Sequence, residues 1–233
     1  MSRIFRAATV VVVLVSCAPA AQAQSFASLF TTLPSDFKHL VSVDSAIAIG
    51  GGGALAVPLW SSEHTNGEGS EAFDAGNVIG DGAVQAAGAL TVYVLGAANH
   101  SSRVQRLGAD LVRAQIVNGV MTDGLKLAVD RTRPDGGSHS FPSGHASAAF
   151  ATATVLQAHL GWKIGIPAYA LAAYVGSARV TSNHHYTSDV VFGAGLGIAA
   201  GRATTFTVRQ QRIAIAPTIG PGRVGVGVTV GAN

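Results

Sequence analysis

The chain has 233 residues, enough for one or two domains with a substantial core. Hydrophobic residues make up 48% and charged ones 12%, which excludes a disordered chain, and a single cysteine excludes a disulfide scaffold or a cysteine-rich metal finger. The net charge of +3 dwindles once residues 1–23 are set aside: they hold Arg3, Arg6 and no acid, leaving thirteen bases against twelve acids, with no basic block to engage nucleic acid.

In chain order, Arg3 and Arg6 precede an apolar run, Ala7 to Val15, and small residues ending in Ala21-Gln22-Ala23. This layout predicts a secretory signal peptide over 1–23, too short in its apolar part to span a bilayer. A second processing route stays open, because Leu14-Val15-Ser16-Cys17 is similar to a bacterial lipoprotein box with Cys17 as the lipidated anchor. Both routes export the body of the protein, and the periplasm is the expected compartment.

Residues 24–206 are expected to form one helical domain. Ala, Leu and Val dominate segments that lack period-two alternation, so helices are predicted over 43–59, 84–98, 103–131, 143–161, 164–179 and 186–205. The fold class is therefore all-α, a bundle of about six helices. Ser61–Gly82 reads as one long polar loop with a helical turn around Ser70–Ala75, and Arg133–Pro142 as a second loop between two prolines. The 103–131 segment is the most amphipathic, with Val104, Leu107, Leu111, Ile116, Val120 and Leu127 near helical spacing and Arg103, Arg106, Asp110, Arg113 and Asp123 elsewhere. The segments at 164–179 and 186–205 are apolar nearly all round and suit the middle of a bundle or lipid. No segment after the leader is a clean apolar run of about 20 residues, which favours a compact soluble bundle with membrane contact confined to its surface. Residues 207–233 change character: Ile213 and Ile215, then Val224, Val226, Val228 and Val230, alternate with small residues and predict a C-terminal β-hairpin.

Three polar clusters within the apolar segments need a reason, because burying unpaired polar groups costs several kcal/mol. Lys126 and Arg133, followed by Pro134, are seven apart; on a helix both project from one face and could hold an anion, or they form a solvated basic edge. Pro142-Ser143-Gly144-His145 opens a helix whose free N–H groups make an anion site, although Ser143 could equally be a plain N-cap. Arg179 precedes His185 and Asp189, which are four apart; a carboxylate beside an imidazole fixes the tautomer, in structural pairs as well as catalytic ones. His184 is expected to point away. His39, His64, His100, His139 and His159 show no metal-ligand spacing, and Ser143 lacks the Gly-x-Ser-x-Gly elbow of serine hydrolases.

Taken together, Lys126-x6-Arg133-Pro134, Pro142-Ser143-Gly144-His145 and Arg179-x5-His185-x3-Asp189 resemble the three-part motif of the type 2 phosphatidic acid phosphatase/vanadium haloperoxidase superfamily. One departure is Ala178, which separates Ser177 from Arg179 where the family usually has adjacent Ser-Arg. The resemblance implies a helical bundle with its site between helices. It also implies His185 as a nucleophile forming a phosphohistidine, Asp189 holding its far nitrogen, and His145 as acid and then base. Lys126, Arg133, Ser143, Gly144 and Arg179 would bind the phosphate oxygens. The expected activity is metal-independent and cofactor-free hydrolysis of a phosphate ester, either a lipid phosphate or a small monoester. A vanadium-dependent haloperoxidase and a non-catalytic anion-binding envelope protein are the alternatives. Oligomeric state has no signal in the sequence.

Overall fold

The computed structural model describes residues 25–60, 73–206, 208, 214–220 and 223–229. The predicted leader, with Cys17, lies outside the described residues, as do 61–72. The chain divides into two units, of which Gln22–Arg209 is helical. Its elements are α1 (Ser28–Thr31), α2 (Leu33–His39), α3 (Val43–Trp60), α4 (Asp74–Ile79), α5 (Gly82–Ala98), α6 (Ser102–Val129), α7 (Gly144–Leu160), α8 (Trp162–Thr181) and α9 (Thr187–Thr204). The other unit contains the expected hairpin, β1 (Ala214–Gly220) antiparallel to β2 (Arg223–Thr229), with Ala214 opposite Thr229 and Gly220 opposite Arg223.

Short polar side chains start the long helices. Asp81 accepts from the Ala83 and Val84 amides at the start of α5, and Ser101 accepts from the Val104 amide at the start of α6. Asp130, at φ +43°, closes α6 in a left-handed conformation, and its amide donates to the Lys126 carbonyl. The helix therefore ends before Arg133, which corrects the expectation that Lys126 and Arg133 share a helical face. Two further corrections concern the first half of the helical unit. Residues 70–72 of the expected helical turn lie outside the described residues; from Asp74 the stretch read as loop forms a six-residue helix, α4, and α1 and α2 had no counterpart in the predicted elements.

The centre of the bundle is α9, which packs on α3, α6 and α7. Its glycines allow backbone to meet backbone there: a Cβ on Gly193 would stand 2.7 Å from the Ser143 carbonyl oxygen, and one on Gly197 would collide with the Ser147 carbonyl. By contrast, α8 lies at the flank, with Trp162, Ile164 and Ile166 exposed.

The interior is rich in alanine and in polar residues, with a few larger side chains such as Leu29, Leu111, Val155 and Leu196. In α6 the buried positions include Ala109, Asp110, Arg113, Ala114, Asn118 and Thr122, while Val104, Val120 and Leu127 face outward. The predicted apolar stripe is thus split: Leu111, with Leu107 against it, joins the core, while its two ends face outward. The physical reason is pairing. Arg113 Nε donates to Asp36 Oδ2 at 2.8 Å, Nη2 donates to Asp110 Oδ1 at 2.7 Å and to the Thr204 carbonyl at 3.0 Å, and Asp110 Oδ2 lies 2.7 Å from His159 Nε2. The outer surfaces of α3 and α5 are strongly apolar, with Val43, Ile47, Leu55 and Val57 exposed on the former and Val84, Leu90 and Val94 on the latter. Among the described residues α3 is the one helix long and apolar enough to cross a membrane by length and composition, where the sequence pattern had favoured none.

Candidate functional site

The site is built from the end of α6, the 130–143 loop with the first turn of α7, the end of α8 with the turn after it and the first turn of α9, and α4. Ser143 is fully buried as the N-cap of α7; its amide donates to the Asp189 carbonyl at 3.0 Å, and its hydroxyl accepts from the Ala146 amide at 3.5 Å. The capping reading of Ser143 therefore holds, with a weak bond that leaves hydroxyl capacity over. The Lys126 side chain lies along Gly144, whose Cβ, if present, would sit 3.7 Å from Lys126 Cε. Lys126 Nζ donates to the His139 carbonyl at 2.7 Å; His139 presents that oxygen from a left-handed conformation, φ +57°.

Arg133 sits in the loop, where its amide donates to the Gly137 carbonyl at 2.7 Å and its carbonyl accepts from the Gly136 amide at 3.0 Å. Arg179 is buried near the end of α8, and its Nη1 donates to Asn77 Oδ1 at 2.8 Å. The Nε atoms of Arg133 and Arg179 are both buried without a hydrogen-bond partner among the described residues. These cations act on one another. Burial, then Arg133, lowers the Lys126 pKa to about 8, with Arg179 contributing in the same direction and Asp123 and Asp189 opposing. Burial, then Arg133, likewise lowers Arg179 to about 10. His145 joins the group: burial and then Arg179 push its imidazole down to about 4, against Asp81 and a bond to the Asn77 backbone.

His185 is almost fully buried in the turn just before α9, as the predicted helix start at 186 implied; its Nδ1 lies 3.5 Å from Asp189 Oδ2, at the outer limit of hydrogen-bond reach, and has no closer partner among the described residues. Burial lowers the His185 pKa, and Lys126 and Arg179 add to that, against the pull of Asp189. Asp189 is completely buried, which by itself would raise its pKa. The nearby His185 ring, the bonds from Ser140 and the Tyr186 amide, and the Arg131 charge more than offset burial and hold the carboxyl below its usual range.

All eight predicted site residues thus fall around one region. Ser177 does not: it is exposed on α8, its hydroxyl donating to the Ala173 carbonyl at 3.0 Å. His184, expected to face elsewhere, lies close enough to Arg179, Asp135 and Arg133 to feel their charges. Three further residues reach the site without having been singled out: Asn77, Arg131 and Ser140. Asn77 lay in a stretch read as loop, Ser140 in a run of turn residues, and Arg131 at the expected end of α6, so none carried a local signal. Among the described residues no three His, Cys, Asp or Glu side chains group as metal ligands.

Comparison with known proteins returns a family model, the PAP2 superfamily, over residues 135–213; this takes in Ser143 to Asp189 and stops just short of Lys126 and Arg133. A lipid A 1-phosphatase of Porphyromonas gingivalis is 35% identical over 99 residues, 41% of this chain and 22% of that one, so the chain spans about a fifth of that relative's length. A lipid A 4'-phosphatase of Helicobacter pylori is 34% identical over 140 residues, covering 52% of this chain and 69% of the relative. Among solved structures, Aquifex aeolicus LpxE matches 57% of this chain and 83% of its own at 24% identity and a TM-score of 0.49. With a relative matched at that identity over more than two thirds of its length, the chain belongs to the PAP2 superfamily, the type 2 phosphatidic acid phosphatases.

Proposed function

We propose that the protein is a phosphatase hydrolysing lipid phosphate monoesters through a phosphohistidine, without a metal ion. The observation that carries this is the convergence of Lys126, Arg133 and Arg179 beside the N-terminus of α7. Each of the three lowers a neighbour's proton affinity, and two keep buried Nε donors without a partner among the described residues. Such a group is unfavourable until an anion joins it, and a phosphoryl group with its charge spread over three oxygens is the matching anion.

In this reading Asp189 accepts a hydrogen bond from His185 Nδ1–H, which leaves the Nε2 lone pair free. Nε2 attacks phosphorus as the P–O bond to the alkoxide breaks, and His145 protonates the departing oxygen. Water then gives a proton to His145 and attacks phosphorus, breaking the P–N bond and releasing inorganic phosphate. With a pKa of about 4 in the unliganded site, His145 is neutral at pH 7. A bound dianion offsets the Arg179 charge and raises that pKa, so the acid is armed by the substrate it will protonate.

The lipid class is supported by two lipid A phosphatases among the relatives and by the apolar outer faces of α3 and α5, which suit contact with a lipid surface. Export of the body, with or without Cys17 as anchor, is part of the same reading. The test is phosphate release from detergent-dispersed lipid phosphates and from 4-nitrophenyl phosphate, in EDTA, by the parent and by His185→Ala. Release that persists in EDTA, favours the lipid and vanishes in the variant supports the proposal. An inert parent favours an anion-binding protein, and preference for the aryl ester favours a small-monoester phosphatase.

A further inference from the structure

We propose that Arg131 is a positioning residue, acting through Asp189 to keep His185 in the tautomer and orientation that attack phosphorus; this rests on the functional reading above. Arg131 Nη1 donates at 2.8 Å both to Asp189 Oδ1 and to Ser188 Oγ. The other carboxylate oxygen receives the Ser140 hydroxyl at 2.5 Å and the Tyr186 amide at 3.0 Å. The two sides of this cradle are tied together, since the Ser140 amide donates to the Arg131 carbonyl at 2.7 Å. Of these donors only Arg131 is charged, so it supplies the direct ion pair to a completely buried carboxylate.

The guanidinium is itself held rigidly. It lies between two aromatic faces, 3.7 Å from the Trp60 ring centroid and 4.0 Å from that of Tyr186. Trp60 ends α3 and also packs edge-on against Phe141, 5.3 Å between centroids, while Tyr186 follows His185 directly. The clamp therefore links α3, the loop and the residue beside the nucleophile. His185 Nδ1 is 3.5 Å from Asp189 Oδ2, so a displacement of a few tenths of an ångström decides whether that bond is made. Arg131 and Arg133, two positions apart, thus divide their labour: one charge serves Asp189 and the other joins the cations around Lys126 and Arg179.

The charged and titratable groups facing the pair are Arg131 from the loop, Lys126 from α6, His145 from α7, Arg179 from α8, and His185 and Asp189 themselves. The experiment compares the full chain with Arg131→Met, which keeps length without charge, and with Arg131→Lys. Readouts are the pH profile of kcat and KM on 4-nitrophenyl phosphate, melting, and the His185 tautomer by imidazole nitrogen NMR. In Arg131→Met kcat falls about 10–100-fold with KM little changed. Its acid limb moves up by about one to three pH units as Asp189 gains a proton, and Arg131→Lys recovers part of that shift. A parental pH profile and tautomer in Arg131→Met, or losses in both variants that follow melting alone, overturn the proposal. If the parent releases no phosphate, the functional reading fails separately. The tautomer then decides the proposal: loss of the Nδ1–H form in Arg131→Met supports it, and an unchanged imidazole refutes it.

Discussion

Asn77 and Arg179 are 102 positions apart, yet Asn77 Oδ1 accepts from Arg179 Nη1 at 2.8 Å. The same amide donates through Nδ2 to Ser182 Oγ at 3.2 Å, and the Asn77 backbone bonds the His145 imidazole. One residue of α4 thereby orients a phosphate-binding cation and the proposed acid.

Replacing Asn77 should expose that dependence. A hydrogen bond to a charged group contributes about 1.5–3 kcal/mol, so Asn77→Ala is expected to lower kcat/KM by about 10–100-fold. Steady-state kinetics beside a melting curve checks this, with the melting temperature little changed because Asn77 is only half-buried on a short helix.

Lys126 ties phosphate affinity to pH. With its pKa lowered from 10.5 to about 8, it loses its charge as pH rises through that value, so the thermal shift produced by inorganic phosphate should shrink above about pH 8. Lys126→Ala should lose activity and most of that shift at every pH while melting like the parent without phosphate. Full turnover by the variant would remove Lys126 from the site.

The buried ion network outside the site predicts a different phenotype. Arg113 lies between Asp36 and Asp110, with His159 on the far oxygen of Asp110. Burial raises the Asp36 pKa against the pull of Arg113, so the carboxylate depends on its partner. Arg113→Met takes the partner from Asp36 and leaves Asp110 with His159 alone, and should cost about 3–5 kcal/mol in denaturant titration, while kinetic constants per folded molecule stay near parental.

The six long helices were legible because Ala-rich runs are bounded by strong breakers, Pro134, Pro142 and Gly161 among them. The inward faces were not. In α6 the interior holds Asp110, Arg113 and Asn118 beside Leu111 and Val117, so an apolar period of 3.6 followed the core at Leu111 but led outward at Val120 and Leu127. Motif spacing brought out the site's cations and imidazoles, although Arg133 reaches it from a loop rather than a helix face. Its supports, Asn77, Arg131 and Ser140, act across long sequence separations and have no periodicity or spacing to betray them.

The central claim is that a phosphoryl group passes through His185. Rapid-quench labelling with a phosphorus-32 lipid phosphate monoester tests it most directly. An acid-labile, base-stable label on the peptide containing His185, absent in His185→Asn, is the predicted result. A label on Ser143, or turnover with no labelled protein at any quench time, would contradict it.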